Sequence, residues 1–245
     1  MDKKFYLKQF SITHHRSAMK VGTDALILGA LAGSSLSIEP NTVLDIGTGC
    51  GIVALMLSQR FKDAAVTGVD IHDGSVMDAE ENRKAFFAPS KLKFIHADIE
   101  QFAPRSAVLY DLIVSNPPYF TPTHSSPSEL KTLAKHALSL PADKLFVKAK
   151  QLLSPEGELV IIYPFSMADY YEEAARKIGL VHSQKISIRG RKDLPVKRFL
   201  STWQMEEREG LPVESELIIE VERHRYTPEY KAIMMPFMLD SALSK

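Results

Sequence analysis

The chain has 245 residues and a formal net charge of zero, from 30 basic and 30 acidic side chains. No global charge draws it to a polyanion, so any nucleic-acid binding has to come from a local basic patch. Its one cysteine, Cys50, excludes an internal disulfide and suits a reducing compartment, and no apolar run is long enough to span a bilayer.

The first apolar segment, residues 25–35 (ALILGALAGSS), follows Lys3, Lys4, Lys8, Arg16 and Lys20 and has the outline of a secretory signal. Its apolar core starts late and Asp24 stands before it. The pattern therefore predicts a helix, capped by Thr23 or Asp24 and buried against a sheet. Beyond it, β-rich runs alternate with helical patterns. Strands are predicted at 42–47, 65–70, 92–97, 110–115 and 157–164, then at 181–188 and 198–205, with helices at 51–61, 75–86, 141–153 and 167–178. Strands that are apolar on both faces and alternate with helices argue an α/β fold, a parallel sheet covered on both sides. A last run at 216–223 (ELIIEVER) reads as an additional strand. With no repeat and no low-complexity linker, one domain over 1–245 is expected. It divides into an N-terminal cap segment (1–41) over the ligand site, a core (42–205) and a C-terminal extension (206–245).

Ligands of such sheets bind at the carboxyl ends of the strands. The first strand ends LDIGTGCGIVAL, and Gly47, Gly49 and Gly51 give a tight turn that a ligand can approach closely. The helix after it offers unpaired N–H groups. Asp45 precedes the turn; a carboxylate there repels a pyrophosphate but accepts from an ammonium or holds water. Asp70 ends the second strand, where it can take both hydroxyls of a ribose, and Asp98 follows the third, where an adenine amino group can be read. A glycine pattern alone is weak, since dinucleotide folds carry similar turns, and each acid alone reads as a solvated strand end.

As a set, over about residues 43–205, these features resemble the S-adenosylmethionine-dependent methyltransferases of class I. The resemblance implies a Rossmann-like fold: a seven-stranded, mostly parallel sheet, helices on both faces, and an antiparallel seventh strand between the fifth and sixth. It implies S-adenosyl-L-methionine as cofactor, with Gly47, Gly49 and Gly51 around its methionine part, Asp70 on the ribose and Asp98 on the adenine amine. Cys50 lies inside the cofactor loop and reads as a small packing residue rather than the thiolate that methylation of a ring carbon requires.

The fourth strand ends in Asn116-Pro117-Pro118-Tyr119. An exocyclic amine is a poor nucleophile because its lone pair is delocalised into the ring. The Asn116 side-chain oxygen and the Pro117 carbonyl can accept its two hydrogens, favour a pyramidal nitrogen and aim the lone pair. The prolines stiffen that carbonyl and leave no N–H to compete. Tyr119 offers a flat face to a base taken out of its stack. The alternative is a proline-terminated strand with a packed tyrosine. This motif resembles that of the amino-methyltransferases, which leaves the acceptor open: adenine N6, cytosine N4, guanine N2 or a glutamine amide. A separate target-recognition domain, an N-terminal helical domain and a duplicated domain are all expected to be absent.

Residues 5–32 carry KQF, AMKVGTD and a Leu-Gly-Ala run in order, and 225–239 (RYTPEYKAIMMPFML) close the chain in a matching way. Both are similar to the bacterial tRNA1(Val) (adenine(37)-N6)-methyltransferase family, although His15 stands where that family more usually has Asp. The resemblance implies N6-methylation of an adenine in a tRNA anticodon loop, that of valine tRNA, and it places Thr23 and Asp24 over the cofactor. The rivals are another acceptor, guanine N2 of ribosomal RNA or a protein glutamine, and an inactive cofactor-binding RNA module, against which the intact Asn-Pro-Pro-Tyr speaks. In RGRKDLPVKR, Arg189, Arg191, Lys192, Lys197 and Arg198 can meet RNA phosphates if the hairpin lies at the active edge; otherwise they line a solvated turn. His14, His15 and His136 show no metal-ligand spacing, so no metal is expected. A cytoplasmic enzyme, monomeric or weakly associating, with no membrane attachment and no obligate protein partner, is the expectation.

Overall fold

The computed structural model describes residues 4–17, 19–86, 91–104, 108–118, 140–205 and 212–244. A short antiparallel ribbon, β1 (Phe5–Tyr6) with β2 (Ser11–Ile12), leads into helix α1 (Thr23–Leu31). Strands β3 (Thr42–Ile46), β4 (Ala65–Asp70), β5 (Lys93–His96), β6 (Tyr110–Ser115) and β7 (Leu153–Pro164) follow. With them come helices α2 (Ile52–Arg60), α3 (Asp73–Ala85), α4 (Ala142–Leu152) and α5 (Ala168–Lys177). The chain then forms β8 (Val181–Arg191), β9 (Val196–Gln204), β10 (Val213–Glu222) and β11 (Arg225–Tyr226), and ends in α6 (Pro228–Met234) and α7 (Asp240–Leu243).

The main sheet runs β11-β10-β8-β9-β7-β6-β3-β4-β5. From β7 to β5 all neighbours are parallel, and β9 lies antiparallel between β7 and β8. That is the expected reversal between the fifth and sixth strands. Among the described residues the sheet has nine strands: the seven expected, the additional C-terminal strand as β10, and the short β11. The apolar run of the C-terminal segment needs a partner for its backbone, and β10 finds one by pairing parallel with β8, after which β11 turns back on it.

Alternate residues of the central strands enter two different cores. Val43, Leu112, Val114, Val160 and Ile162 face α1 and α2, whereas Leu44, Ile113 and Ile161 face α4 and α5. This two-sided burial is why the strands read as continuous apolar runs. Helix α4 buries Leu145, Phe146, Ala149 and Leu152, the spacing of one apolar stripe. Helix α2 is buried on nearly every side because α1 lies over it: a Cβ on Gly29 of α1 would sit 2.8 Å from the Met56 sulfur of α2. Among the described residues no helix is long and apolar enough to cross a membrane.

Helix α1 starts differently from the expectation. Its N-cap is Gly22, with no side-chain capping bond, and Thr23 and Asp24 are its first helical residues. The Asp24 carboxylate turns to Arg198 of β9, at 2.9 Å, instead of back to its own helix.

Candidate active site

The parallel register makes the strand ends flush. Ile46 lies level with Val69 and with Ser115, and Asp70 with His96. Gly47, Asp70 and Asn116 therefore emerge along one edge, and a pocket opens there, lined by Gly47, Thr48, Gly49, Asp70, Asp98 and Asn116 among others. Ser115 donates to the Ile46 carbonyl at 2.8 Å and pins the end of β6 to β3.

The glycine turn is fastened to the neighbouring strand. Gly47 N and Thr48 N donate to the Val69 carbonyl at 2.8 and 3.1 Å. Gly49 N donates to one oxygen of Asp70 at 2.8 Å, while His72 N donates to the other at 2.8 Å. Gly47 and Gly49 take φ values of 72° and 55°, and a Cβ on either would meet open space. Their backbone is thus bare to whatever enters the pocket. Gly51 (φ 84°) behaves otherwise: a Cβ there would lie 2.7 Å from the Phe94 ring and 3.0 Å from Ala79. It does not line the pocket. Gly51 is the left-handed N-cap of α2 and leaves room for Phe94.

Asp45 is buried beneath this turn, takes a hydrogen bond from Thr48 Oγ1 at 2.6 Å and lines the pocket. Among the described residues no cationic side chain pairs with it. Burial pushes its pKa up from 3.8 to about 7, against the pull of the hydrogen bonds from Thr48 and the Ala54 backbone. A cation entering the pocket would restore the charge. Asp98, in the turn after β5, accepts from Glu100 N at 2.9 Å and also lines the pocket.

At the end of β6, Asn116 Oδ1 is buried and has no hydrogen-bond partner among the described residues. Such an acceptor is costly to leave unpaired, and its position in a pocket wall fits a donor brought by a ligand. Pro117 is buried beside it and Pro118 lines the pocket. Tyr119 and His136 lie outside the described residues. Cys50 is buried, and burial raises its pKa to about 12, which removes it as a thiolate nucleophile.

Two other groups of expected residues lie outside the pocket wall. Thr23 and Asp24 are not in the pocket wall; Val21 and Ala25 on either side of them are. The hairpin between β8 and β9 does lie at the carboxyl edge, with Arg198 level with Pro164 at the end of β7. Yet all three of its arginines are engaged within the protein. Arg189 pairs with Glu216 at 2.5 Å, Arg191 with Asp193 at 3.2 Å, and Arg198 with Asp24. Lys192 and Lys197 are exposed.

Met19, His72 and Ser75, which the sequence did not single out, also line the pocket, as does Lys20, expected only to extend a basic patch. A signal was present in α3, whose buried residues are Ser75, Asp78, Ala79 and Asn82: polar side chains at core spacing. Among the described residues, His15, Asp78 and Glu81 come within 4.8 Å of one another, but Arg16 Nη1 already donates to both carboxylates, so the group is an ion-pair cluster.

The two kinds of glycine predict different losses. Gly51→Ala should destabilise the fold by about 2–4 kcal/mol, from left-handed strain and overpacking against Phe94. Gly49→Ala, with open space for its methyl, should cost only about 1–2 kcal/mol. Urea unfolding of both variants measures the difference; equal losses would contradict the packing role of Gly51.

The model of the methyltransferase small domain matches residues 17–178. The tRNA1(Val) (adenine(37)-N6)-methyltransferase of Parabacteroides distasonis is 36% identical over 236 residues, covering 96% of this chain and 97% of that one. The enzyme of the same name from Proteus mirabilis is 34% identical over 238 residues, covering 96% and 93%. Among solved structures, a methyltransferase from Pyrococcus furiosus superposes with a TM-score of 0.57 at 18% identity, over 80% of this chain and 89% of that one. A structure described as a predicted O-methyltransferase, from Agrobacterium tumefaciens, gives 0.65 at 16%, over 87% and 96%. At such identities the structures speak for the fold alone, a class I methyltransferase fold, and it is the near full-length sequence matches that show membership: the chain belongs to the tRNA1(Val) (adenine(37)-N6)-methyltransferase family.

Proposed function

We propose that this protein methylates N6 of an adenine in a tRNA anticodon loop, adenine-37 of valine tRNA, with S-adenosylmethionine as methyl donor, and that it works in the cytoplasm, where its substrate is. The observation that carries this is the buried Asn116 Oδ1, without a hydrogen-bond partner among the described residues, in the wall of a pocket that also holds Asp45, Asp70 and Asp98. The relatives' names supply the acceptor.

The residues fit the cofactor. Gly47 and Gly49 leave their side of the pocket bare for a close backbone approach, and the three carboxylates that line it can accept from an ammonium, a ribose and an adenine amine. A carboxylate offers about four lone-pair sites, so Asp70, with Gly49 N and His72 N already bound, can still accept two hydroxyls. When bound, S-adenosylmethionine supplies an electrophilic methyl group. The rest is positioning by this chain. Asn116 Oδ1 and the Pro117 carbonyl accept the two hydrogens of the adenine amine and turn its lone pair outward. Neither proline offers an N–H that could compete. The amine can lose its proton to water after transfer, so the site needs no strong base.

Incubation with labelled cofactor and total tRNA, followed by nucleoside analysis, tests the proposal: N6-methyladenosine is expected, and label in guanosine or in protein would redirect it to another acceptor. Asn116→Ala should lower single-turnover methylation by about a hundredfold or more while cofactor affinity stays within about twofold, since its contact goes to the acceptor. A near wild-type rate would remove Asn116 from the mechanism.

The pKa of Asp45, about 7, gives a pH dependence. A cationic ligand binds its ionised form, so affinity for S-adenosylhomocysteine should fall as pH drops below about 7, approaching tenfold per pH unit, and level off above it. Asp45→Asn should flatten the profile. Without ligand the sign is opposite: between pH 3.8 and about 7 the folded state keeps a proton that the unfolded chain releases. The stability from this group is full below 3.8 and is lost as pH rises through about 7.

For the RNA, the arginine pairs in the hairpin shift the expectation to Lys192 and Lys197. Replacing both with alanine should weaken tRNA binding irrespective of sequence and lower the salt slope by about two. Titration at several salt concentrations reads this; an unchanged slope would exclude the hairpin from phosphate contact.

A further inference from the structure

Met19, Lys20 and Val21 form part of the pocket wall, yet they lie in an N-terminal segment with no helix of its own at that point. What fixes the segment is one stripe of α3. Asp78 is fully buried there and, among the described residues, receives four hydrogen bonds from two adjacent residues of the segment. Arg16 N reaches it at 2.9 Å, Arg16 Nη1 at 3.0 Å, and Ser17 N and Ser17 Oγ at 2.8 Å each. Arg16 Nη1 also bonds Glu81 at 2.9 Å.

One helical turn on, Asn82 Oδ1 accepts from Thr13 N at 2.8 Å and Thr13 Oγ1 at 2.9 Å. Its Nδ2 donates to the Thr13 carbonyl at 2.8 Å and to the Cys50 carbonyl of the glycine turn at 2.9 Å. One turn before Asp78, Gly74 lets the segment come close: a Cβ there would lie 3.0 Å from the Arg16 carbonyl. Gly74, Asp78 and Asn82, spaced by four, thus present one face to the segment. A buried carboxylate persists only when its lone pairs are met, and those of Asp78 are met almost entirely from this strap. Asp78 itself is not in the pocket wall.

We propose that Asp78 is a positioning residue for the cofactor site: by holding Arg16 and Ser17 it sets Met19, Lys20 and Val21 against the pocket and so determines how tightly the cofactor is retained. The inference rests on the reading of this pocket as the S-adenosylmethionine site. Its consequence is specific. Loosening the strap exposes one wall of the pocket to water and weakens cofactor binding, but it leaves Asn116 and the acceptor side unaltered.

The test compares wild type, Asp78→Asn and the double variant Arg16→Ala/Ser17→Ala. The double variant removes side-chain donors from the strap and leaves the core of α3 intact, so it serves even if Asp78→Asn does not fold. Calorimetry with S-adenosylhomocysteine should show affinity lowered by about tenfold in each variant, with turnover at saturating cofactor within about twofold of wild type. Combining all three substitutions should add little, since they act on one contact. Trypsin should cut faster after Lys20, which is exposed. Variants that fold and bind the probe as tightly as wild type would overturn the proposal, whether or not cleavage speeds up; so would a loss confined to turnover. If wild type itself fails to bind the probe, the reading of the pocket falls and takes this inference with it.

Discussion

The structure depends on the parallel ladder between β3, β4 and β6. Parallel backbone hydrogen bonds fix the register residue by residue, and here they set Ile46, Val69 and Ser115 in one row. A slip of one residue in any of the three would turn the following side chain to the opposite face. With the row fixed, Gly47, Asp70 and Asn116 leave the sheet together. The turn after Ile46 is then close enough to donate to Val69 O and to the Asp70 carboxylate. Asp70 in turn holds His72 N at the approach to α3, the helix that carries the strap. The glycine turn, Asp70 and Asn116 meet at one pocket as consequences of one register.

Two buried carboxylates near this edge show how burial is used in opposite ways. Asp78 is satisfied by donors of its own chain and fastens one segment to another. Asp45 has Thr48 and a backbone N–H but no countercharge among the described residues, and burial raises its pKa to about 7. The first arrangement stabilises the folded state. The second is stable mainly when protonated and becomes favourable as an anion only when a cation arrives, as expected of a group held for a ligand. Asn116 follows the same logic with a neutral acceptor.

The far side of the sheet carries the additions. β8 and β9 bring their hairpin to the carboxyl edge of the parallel strands, and β10 covers what would otherwise be an open edge at β8. Glu216 of β10 pairs with Arg189, and Asp24 of α1 pairs with Arg198. Each pair ties the hairpin to another part of the chain and offsets its positive charge, which leaves the exposed Lys192 and Lys197 as its outward-facing cations.

The sequence alone determined the alternation of strands and helices, because periodicity and burial on both faces are written locally, and β4 and β6 begin and end where they were read. It also pointed to Asp45, Asp70, Asp98 and Asn116, which are among the polar groups lining the pocket, since strand ends in a parallel sheet share one edge whatever packs around them. The tertiary structure decided what local pattern leaves open. Gly47 and Gly51 look alike in LDIGTGCG, and only the Phe94 ring, brought in from β5, makes one a bare pocket wall and the other a packing gap. Asp24 reads as a helix cap until Arg198, 174 residues away, claims its carboxylate. Asp78 reads as one more acid on a charged helix until a strap 62 residues earlier buries it. In each case the deciding partner is distant in sequence, and its contact strength depends on a register and a packing distance that no local pattern carries.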